Sequence, residues 1–327
     1  MPLTVLFSSA GRRTELLNCF RADAQELGID LRVLAIDITP ELSSACQTAD
    51  RCFRVPRCTA PDFVPSLLRI CEEENVDLVI PTLDIELEVF ANSKQKFTSI
   101  GTRIVVSSKS TIKIARNKLS TAFFLLNQGI PTPRTATIPE VLSAPTDWQW
   151  PLILKPMEGC SSLGIERVSD LAEFTQAATR RDDFLVQELW KGREFTVNIF
   201  FDRLGVLQAT IPHWRIETRA GEVSKGMTWR EPQLMAIAAQ IAAVLPGACG
   251  PLCFQAILRD DGQIAVFEIN ARFGGGYPLA HSAGAQFSKW LLEEAAGLPS
   301  TAHNNWVDRW MMLRYDAAIF GPVPLDL

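Results

Sequence analysis

The stretch Pro251-Leu-Cys-Phe-Gln-Ala-Ile-Leu-Arg-Asp-Asp-Gly-Gln-Ile-Ala-Val-Phe-Glu-Ile-Asn270 decides the fold of this chain. It consists of two apolar runs joined at Asp261-Gly262, and Asp-Gly is typical of a two-residue hairpin turn. In an antiparallel pair closed by that turn, Gln255 faces Glu268. Side chains alternate along a strand, so Asn270 lies on the same face as Glu268.

The predicted face begins near the turn with Ile264 and Val266 and ends in three side chains that carry oxygen atoms. Hard oxygen ligands at a nearly fixed spacing suit Mg²⁺ that is held jointly with substrate phosphates. The hairpin alone leaves a second interpretation open, in which these polar residues simply emerge into solvent.

Length and composition limit the class of protein. A chain of 327 residues suits two or three packed subdomains, and 47% hydrophobic with 21% charged residues is ordinary for a globular protein. The net charge of -5 gives no electrostatic reason to expect nucleic acid or an anionic membrane as a partner. No apolar run reaches the roughly 18 residues of a membrane span, and no basic region precedes the first strand. We therefore expect a cytoplasmic protein.

The cysteines and histidines predict neither disulfides nor a zinc site. The eight cysteines are scattered without a C-x-x-C pair, and the chain has three histidines. Reduced thiols are the expected state.

Near-continuous β-branched runs alternate with helical segments over the first hundred residues, which predicts a parallel α/β sheet. The predicted strands are Val5–Phe7, Leu31–Ile36, Asp77–Ile80 and Arg103–Val106. Ligands bind beyond the carboxyl ends of such strands. These ends carry Ser8–Arg13, Asp37 and Pro81–Glu86.

The turn after the first strand permits a dinucleotide interpretation, with Asp37 as the acid for a ribose. The G-x-G-x-x-G fingerprint is absent, however, because Gly11 stands alone. The helix that begins there can still hold an anion, with Arg12 and Arg13 beside it.

The remaining chain shows a change of pattern. Residues 110–128 have helical periodicity, and a Pro-rich loop over 139–151 leads to the strand Leu152–Lys155. From there strands outnumber helices, which predicts an α+β region. The later predicted elements are helices over 233–245 and 286–296 and a strand over Trp310–Tyr315.

Two further segments carry polar residues at strand ends. Lys155 closes an apolar strand before a Gly/Ser loop whose amides can wrap anionic oxygens, although an ordinary β-turn fits this pattern equally. In Phe184–Asn198, a strand ends at Gln187-Glu188 and a new strand starts at Glu194. Such a crossover can pair with a purine edge and a ribose, although an exposed acidic hairpin has the same pattern.

Arg272 follows Asn270 by two residues and precedes three consecutive glycines. Its guanidinium is suited to neutralise charge on a transferring phosphoryl group. The glycines permit close approach of the backbone to a ligand.

The chain resembles the ATP-grasp superfamily in the order of these parts, and its carbamoyl-phosphate-synthase-like and carboxylate–amine ligase branch most closely. The parts are Lys118 on a helix, Lys155 with its loop, Gln187-Glu188, Glu194, Gln255 and Glu268-x-Asn270-x-Arg272. The resemblance implies a fold of α/β plus α+β class. A Rossmann-like parallel-sheet domain would occupy 1–107, followed by ATP-grasp subdomains at 108–183 and 184–327, the second holding the metal.

The resemblance also implies a role for each matching position. Lys118 and Lys155 would bind the phosphates of ATP, Glu194 the ribose, and Arg272 would stabilise the moving phosphoryl group. The loop residues that would close over the phosphates are Glu158, Gly159, Ser161, Ser162 and Gly164. The residues that would line adenine are Gln187, Glu188 and Leu189. The ligands of Mg²⁺, with Mn²⁺ as the alternative metal, would be Gln255, Glu268 and Asn270.

These roles predict an ADP-forming ligase that activates a carboxylate as an acyl phosphate for attack by an amine on an amino acid or similar small metabolite. Arg215 and Lys225 are candidates to bind the carboxylate or acyl phosphate, although a solvated basic loop fits them too. The candidates for contact with the amine or second substrate are Arg12, Thr82, Asp84 and Glu86. A homodimer is the default expectation.

Three alternative functions remain open from the sequence. The same fold can form carbamoyl phosphate or another phosphorylated carboxylate without amide formation. The first domain alone would suit an NAD(P)-binding oxidoreductase. A non-catalytic nucleotide sensor is the third alternative.

Overall fold

The computed structural model describes residues 2–159, 164–179 and 181–321. No helix in these ranges combines the length and the apolar character needed to cross a bilayer.

The first domain is a parallel sheet with strand order β3-β2-β1-β4-β5. Its strands are β1 (Leu3–Ser8), β2 (Leu31–Asp37), β3 (Arg51–Arg54), β4 (Leu78–Pro81) and β5 (Arg103–Ile104). Its helices are α1 (Thr14–Leu27), α2 (Ser44–Thr48), α3 (Phe63–Glu73) and α4 (Asp84–Thr98), with a 3-10 turn at Pro40–Leu42. Val5 and Phe7 pack towards α1, whereas Leu6 packs towards α3 and α4, so β1 is buried on both faces. The predicted parallel sheet is confirmed.

A small antiparallel sheet with strand order β6-β9-β7-β8 follows. Its strands are β6 (Thr135–Thr137), β7 (Leu152–Pro156), β8 (Glu166–Val168) and β9 (Phe184–Glu188). The helices of this part are α5 (Lys109–Arg116), α6 (Lys118–Asn127), α7 (Ile138–Ser143) and α8 (Leu171–Ala178), with a 3-10 turn at Pro145–Asp147. The sequence boundary at 183/184 would separate β9 from the sheet in which it pairs, because β9 lies between β6 and β7.

Two predicted elements of this part differ in the structure. The single helix over 110–128 is two helices, because the Asn117 side chain accepts the amide of Ser120 and caps a new helix there. The segment predicted as a loop over 139–151 contains most of α7, which begins with a capping box formed by Thr137 and Glu140.

The large sheet has strand order β14-β13-β10-β11-β12-β15. Its strands are β10 (Arg193–Phe201), β11 (Leu207–Arg219), β12 (Glu222–Thr228), β13 (Gly250–Leu258), β14 (Ile264–Asn270) and β15 (Met311–Leu313). The helices are α9 (Pro232–Val244), α10 (Tyr277–Ser282) and α11 (Phe287–Ala296). Helix α11 packs on α1, and Phe20 of α1 lies 6.0 Å from the ring of Phe273. The first domain and the large sheet therefore share one hydrophobic core.

A buried carboxylate holds this junction together. Asp23 of α1 is 1% exposed. It accepts hydrogen bonds from Ser288 Oγ (2.5 Å) and Gln286 Nε2 (3.0 Å), and His281 Nε2 lies 2.9 Å from the same oxygen as Gln286. Because these partners belong to α10, α11 and the turn between them, Asp23 fixes the first domain against the C-terminal helices.

Candidate active site

A cavity of about 490 Å³ lies where the first domain, the small sheet and the large sheet meet. The first domain contributes the turns Ser9–Arg13 and Thr82–Asp84, which follow β1 and β4. The carboxyl edge of the parallel sheet is therefore part of the site, as expected for an open α/β sheet. The predicted residues that line the cavity are Arg12, Thr82, Asp84, Lys118, Lys155, Glu158, Gly159, Gln187, Glu188, Leu189, Glu194, Arg215, Gln255, Glu268, Asn270 and Arg272.

The β13–β14 hairpin sets three oxygen-bearing side chains along one side of the cavity. Gln255 pairs with Glu268, as the sequence predicts, and Asn270 pairs with Cys253. One carboxylate and two amide oxygens fit a hard divalent cation that completes its shell with phosphate oxygens and water. Elsewhere in the described ranges, no group of three or more His, Cys, Asp or Glu side chains offers another metal site.

The hairpin has this pairing although its loop length and its register near the loop both differ from the prediction. The Arg259 amide donates to the Gln263 carbonyl (2.9 Å), so the loop contains three residues and not two. Gly262 has a φ of +84°, which a three-residue loop of this kind requires. The pairs next to the loop are consequently one residue out of the predicted register, and a bulge beyond Ala256 corrects it before Gln255. The two departures cancel.

The bulge also changes which side chains face the cavity. Ile264 and Val266 are predicted to share the face of Glu268, but both are buried in the hydrophobic core. Phe267 has no partner in the register and lines the cavity together with Glu268. A bulge adds one residue to the strand, so the alternation of faces restarts there. The placement predicted for Ile264 and Val266 is therefore wrong.

Lys118 is the first residue of α6 and reaches the side of the cavity formed by the loop after β7. Its Nζ donates to the Gly159 carbonyl (2.8 Å) and lies 3.8 Å from Glu268 Oε1. Its position depends on the break between the two helices at Asn117, because Lys118 would otherwise lie inside one continuous helix. The ammonium lies between the loop after β7 and the side chains of the predicted metal ligands Gln255, Glu268 and Asn270, here called the metal edge.

Lys155 is 6% exposed and lies at the end of β7. Its Nζ donates to Gln187 Oε1 (2.9 Å) and lies 5.4 Å from the ring centre of Phe267. Burial lowers the pKa of Lys155 to about 8, with Glu268 opposing the shift and Lys118 adding to it. A buried ammonium without a carboxylate in direct contact is well suited to an anionic ligand.

The crossover from β9 to β10 lines another wall. Gln187 is buried, and its Nε2 donates to Thr135 Oγ1 (2.8 Å). The Glu188 amide donates to the Arg134 carbonyl (3.0 Å), so that amide is not free to donate to a purine. Leu189 and Trp190 continue the same wall, and Trp190 is a residue that the sequence interpretation missed.

Glu194 and Arg215 form an ion pair inside the cavity. Glu194 Oε1 lies 2.9 Å from Arg215 Nε, while Arg215 Nη2 donates to the Gly221 carbonyl (3.0 Å). Burial raises the pKa of Glu194, and the guanidinium opposes that shift. The predicted ribose acid thus already has a cationic neighbour.

Arg272 is held by the first domain. Its Nη2 lies 2.6 Å from Asp84 Oδ2, and its Nη1 donates to the Phe273 carbonyl (3.0 Å). A longer contact of 3.4 Å joins Nη2 to Asn270 Oδ1. Burial acts to lower the pKa of Arg272, but the Asp84 carboxylate raises it overall. The guanidinium is a fixed positive charge beside the metal edge.

The structure separates the two basic residues that were predicted to act together. Arg215 lines the cavity, whereas Lys225 is half exposed, does not line it, and pairs with Glu217 at 2.7 Å. The bulges in β11 between Arg215 and Thr218 change the register of the β11–β12 pair, so spacing along the chain did not indicate the side. The position of Lys225 therefore gives no support to its predicted substrate role, which stays a prediction.

Glu86 is also not available to a substrate. It is 0% exposed, and Ser8 Oγ and Ser9 Oγ each donate to its Oε2 at 2.7 Å. Its Oε1 accepts the Thr82 amide at 2.7 Å. Burial raises the pKa of Glu86. The residue ties the turns after β1 and β4 together, and Thr82 Oγ1 adds a hydrogen bond to Ser9 O (2.8 Å).

Asp37 has a comparable structural role. Gly11 N donates to Asp37 Oδ2 and Thr39 N to Asp37 Oδ1, both at 3.1 Å. Both carboxylate oxygens therefore accept backbone amides of the turns that follow β1 and β2. This weakens the assignment of Asp37 to a nicotinamide ribose.

The loop that was predicted to close over phosphates is only partly within the described residues. Ser161 and Ser162 lie outside them. Gly159 lines the cavity, whereas Gly164 has a φ of +75° and packs against Pro156 without lining it. Glu158 pairs with Arg116 at 2.9 Å.

Gly274, Gly275 and Gly276 line the cavity with backbone atoms alone and are here called the glycine wall. A methyl group on Gly274 would approach Cys253 Sγ at 3.1 Å, and one on Gly275 would meet Glu222 Cδ at 2.7 Å. On Gly276 it would lie 2.7 Å from His213 Nε2. The sequence predicted close backbone approach to a ligand here; the structure shows that the same glycines also admit the neighbouring side chains.

His213 and Glu222 are residues that sequence reasoning missed. His213 is fully buried, its Nδ1 lies 3.1 Å from Asn198 Nδ2, and its Nε2 has no partner among the described residues. Burial lowers the pKa of His213 to about 3, assisted by Arg215. Glu222 follows Ala220-Gly221, whose positive φ angles of 49° and 77° mark a hairpin tip. The Ala-Gly dipeptide is the sequence feature that could have indicated this hairpin and the position of Glu222 after its tip.

Comparison with known proteins agrees with this arrangement. Residues 5–105 match the family described as PylC-like, N-terminal domain, and residues 115–276 match the ATP-grasp domain family. The chain contains an ATP-grasp domain. The second match contains the lysines, the β9–β10 crossover, the metal edge and Arg272.

A sequence relative of this ATP-grasp protein is a D-alanine–D-alanine ligase from Pseudomonas fluorescens (strain Pf0-1). The two are 30% identical over 201 residues, which is 55% of this chain and 62% of the relative. The chain thus spans about three fifths of the length of that relative.

Solved structures share the fold over nearly the whole chain. The biotin carboxylase domain of 2-oxoglutarate carboxylase from Hydrogenobacter thermophilus has a TM-score of 0.73 and 15% identity, covering 94% of this chain and 72% of its own. An L-amino acid ligase from Bacillus licheniformis has a TM-score of 0.68 and 18% identity, covering 91% and 75%. At these identities the likeness concerns the fold.

Proposed function

We propose that this ATP-grasp protein is an ADP-forming ligase that joins a small-molecule carboxylate to an amine. The observation that carries the proposal is the convergence, in one cavity, of two lysines, an oxygen-lined metal edge and a fixed arginine. Charge neutralisation and positioning supply most of the acceleration in phosphoryl transfer, so this set is sufficient without a covalent nucleophile.

Lys118 and Lys155 would bind the phosphates of ATP. Both ammonium groups lie near Glu268, and neither has a carboxylate oxygen within hydrogen-bonding distance among the described residues. Glu188 and Leu189 would lie along adenine, with Glu194 towards the ribose. The related biotin carboxylase domain from H. thermophilus was crystallised with MgADP and bicarbonate, which supports nucleotide and Mg²⁺ binding by the shared fold.

Gln255, Glu268 and Asn270 would hold the divalent cation, and Mg²⁺ or Mn²⁺ suits their oxygen atoms. Such a cation would neutralise phosphate charge when it is bound. The chain's own contribution is one formal negative charge at Glu268, so phosphate oxygens would have to supply the rest.

The reaction has two balanced steps. A carboxylate oxygen of the substrate attacks the γ-phosphorus of ATP, the bond to the bridging oxygen breaks, and ADP leaves. The amine nitrogen then attacks the acyl carbon, phosphate leaves with the bonding electron pair, and the nitrogen loses a proton. Arg272, fixed by Asp84, would stabilise the negative charge on the transferred group. Arg215 would contact the carboxylate or acyl phosphate.

The first experiment measures thermal stability with MgATP, with ATP alone and with NADH. A rise of the melting temperature with MgATP and none with NADH is expected, because ligands that bind the native state raise it. Absence of a response to MgATP would contradict the proposal. ADP release is then measured with pools of amino acids and small acids, and release that needs both an acid and an amine identifies a ligase.

The same screen separates the alternatives. ADP release with an acid alone indicates a phosphorylated carboxylate as the product, and ATP binding without ADP release in any pool indicates a nucleotide sensor. The homodimer stays a prediction that light scattering can check.

We expect the affinity for ATP to fall as the pH rises through about 8. The pKa of Lys155 is about 8, so its ammonium is complete about one pH unit below and is lost above that value. ATP is already fully ionised in this range, and each unit above the pKa removes about nine tenths of the ammonium, which allows up to ~tenfold weaker binding per unit.

Lys155→Arg is the control for this pH dependence, because arginine stays charged throughout. Its dissociation constant for ATP, measured by calorimetry between about pH 7 and pH 9.5, is expected to stay flat. If the wild type and Lys155→Arg show the same slope, another group is responsible.

A further inference from the structure

A second cavity of about 300 Å³ adjoins the main one and is lined by the start of α1, the β11–β12 hairpin and residues 314–319. The two cavities share Arg12 and Arg13 from the turn before α1, Glu222 from β12, and Gly274-Gly275 from the glycine wall. Two arginines therefore lie at the boundary between the two cavities. The lysines that would bind ATP phosphates line the main cavity and not the second one.

Arg13 is a nearly buried cation with no close partner. Its side chain is 16% exposed, and its nearest carboxylate oxygen, Glu222 Oε1, is 3.6 Å away. That distance exceeds a charge-assisted hydrogen bond, which is about 2.7–2.9 Å. No hydrogen bond joins its guanidinium to another described residue. Burial and the nearby charge of Arg272 lower the pKa of Arg13.

The surrounding charges do not neutralise this arginine. Glu222 also lies 3.6 Å from Arg12 and 3.0 Å from Arg314, so one carboxylate faces three guanidinium groups. Arg272 is satisfied by Asp84, and Arg219 is satisfied by Asp316. Glu15, which also lines the second cavity, is exposed and makes no ion pair with these arginines within the described ranges.

A buried, under-neutralised guanidinium is costly unless a ligand supplies the missing acceptor. The fork of donors on arginine matches carboxylate and phosphate oxygens in two-point contacts. The site is therefore chemically complete only with an anion beside Arg13.

We propose that Arg13, assisted by Arg12, binds an anionic group of the amine substrate, a carboxylate or a phosphate monoester, that does not take part in the reaction. The inference rests on the proposed function and narrows its amine substrate to one that carries a negative charge. The remainder of that substrate extends from Arg13 towards Arg272 and the metal edge.

The test compares binding of charged amines and their neutral counterparts to protein that is saturated with Mg²⁺ and a non-hydrolysable ATP analogue. The carboxylate arm uses a panel of amino acids against the corresponding amino acid amides. The phosphate arm uses phosphoethanolamine against ethanolamine. Affinities come from calorimetry or from thermal shifts.

In at least one arm, the charged probes are expected to bind roughly tenfold or more tightly than their neutral counterparts, as the loss of a charge-assisted contact implies. Arg13→Met removes this preference, Arg13→Lys keeps part of it, and the control Arg69→Met, an exposed arginine on α3, keeps all of it. Equal binding of charged and neutral probes, or an unchanged preference in Arg13→Met, overturns the proposal.

Binding of the nucleotide analogue is measured separately and is expected to be unchanged in Arg13→Met, which also shows that the variant folds. If the wild type does not bind the analogue, the proposed function fails. The anion comparison can then still be made on the nucleotide-free protein.

Discussion

Glu268→Gln is expected to lower the rate of ADP release by roughly 10²- to 10³-fold while the protein stays folded. Glu268 supplies the one negative charge among the three oxygen side chains of the metal edge, and it lies 3.8 Å from Lys118. The amide keeps the shape of the side chain but not its charge, so the effect falls on metal binding and on phosphate placement. Steady-state ADP release at saturating MgATP measures it.

The same substitution is expected to affect Lys155. Glu268 is the group that opposes the lowering of the Lys155 pKa, so its loss drives that pKa further down and weakens ATP binding at neutral pH. The matched control is Glu217→Gln, an exposed carboxylate that pairs with Lys225 outside the cavity. Equal rates for Glu268→Gln and Glu217→Gln would falsify the metal assignment.

Asp23→Asn is expected to lower the free energy of unfolding by about 3 kcal/mol. The Asp23 carboxylate accepts hydrogen bonds from Ser288 and Gln286, and His281 lies at hydrogen-bonding distance, in a site that is 1% exposed. The amide of Asn places an NH₂ group opposite donors and removes the negative charge. One or more of these buried groups is left without an acceptor, which is the expensive outcome for a buried hydrogen-bond network.

Urea denaturation followed by circular dichroism measures this change. Asp30→Asn serves as the control, since Asp30 is exposed and follows the same helix. We expect the control to change the midpoint little. A similar small change in Asp23→Asn would mean that the junction between α1 and the C-terminal helices is held by apolar packing alone.

The order of polar residues along the chain predicted most of the site. Lys155, Gln187 and Glu268 each stand at or near the end of an apolar strand, and Gln255 is the cross-strand partner of Glu268. That local rule needs no knowledge of the tertiary fold. The sequence alone could therefore indicate these residues, and all of them line one cavity.

What the sequence could not supply depends on register and on contacts over long distances. The bulge at Phe267 cannot be read from alternation, because Ile264, Val266 and Glu268 have the same spacing of two residues that an unbroken strand would give them. Glu86 and Lys225 were placed by proximity in sequence to candidate residues, yet one is buried by Ser8 and Ser9 and the other is turned outward by bulges in β11. The carboxylate of Glu86 is buried by residues more than seventy positions away, and such burial depends on the tertiary fold and not on the local sequence pattern.

The glycine wall has a consequence for how this cavity can change during evolution. Contacts of 2.6 to 3.1 Å await any side chain at Gly274, Gly275 or Gly276, so substitution there can only displace neighbours or fill space. A descendant that acquires a bulkier or differently shaped substrate must therefore remodel walls that do not touch these glycines, above all the β9–β10 crossover that carries Leu189 and Trp190. We expect diversity among descendants to accumulate on that crossover, while the backbone of the three glycines keeps its position and sets the same boundary for every substrate.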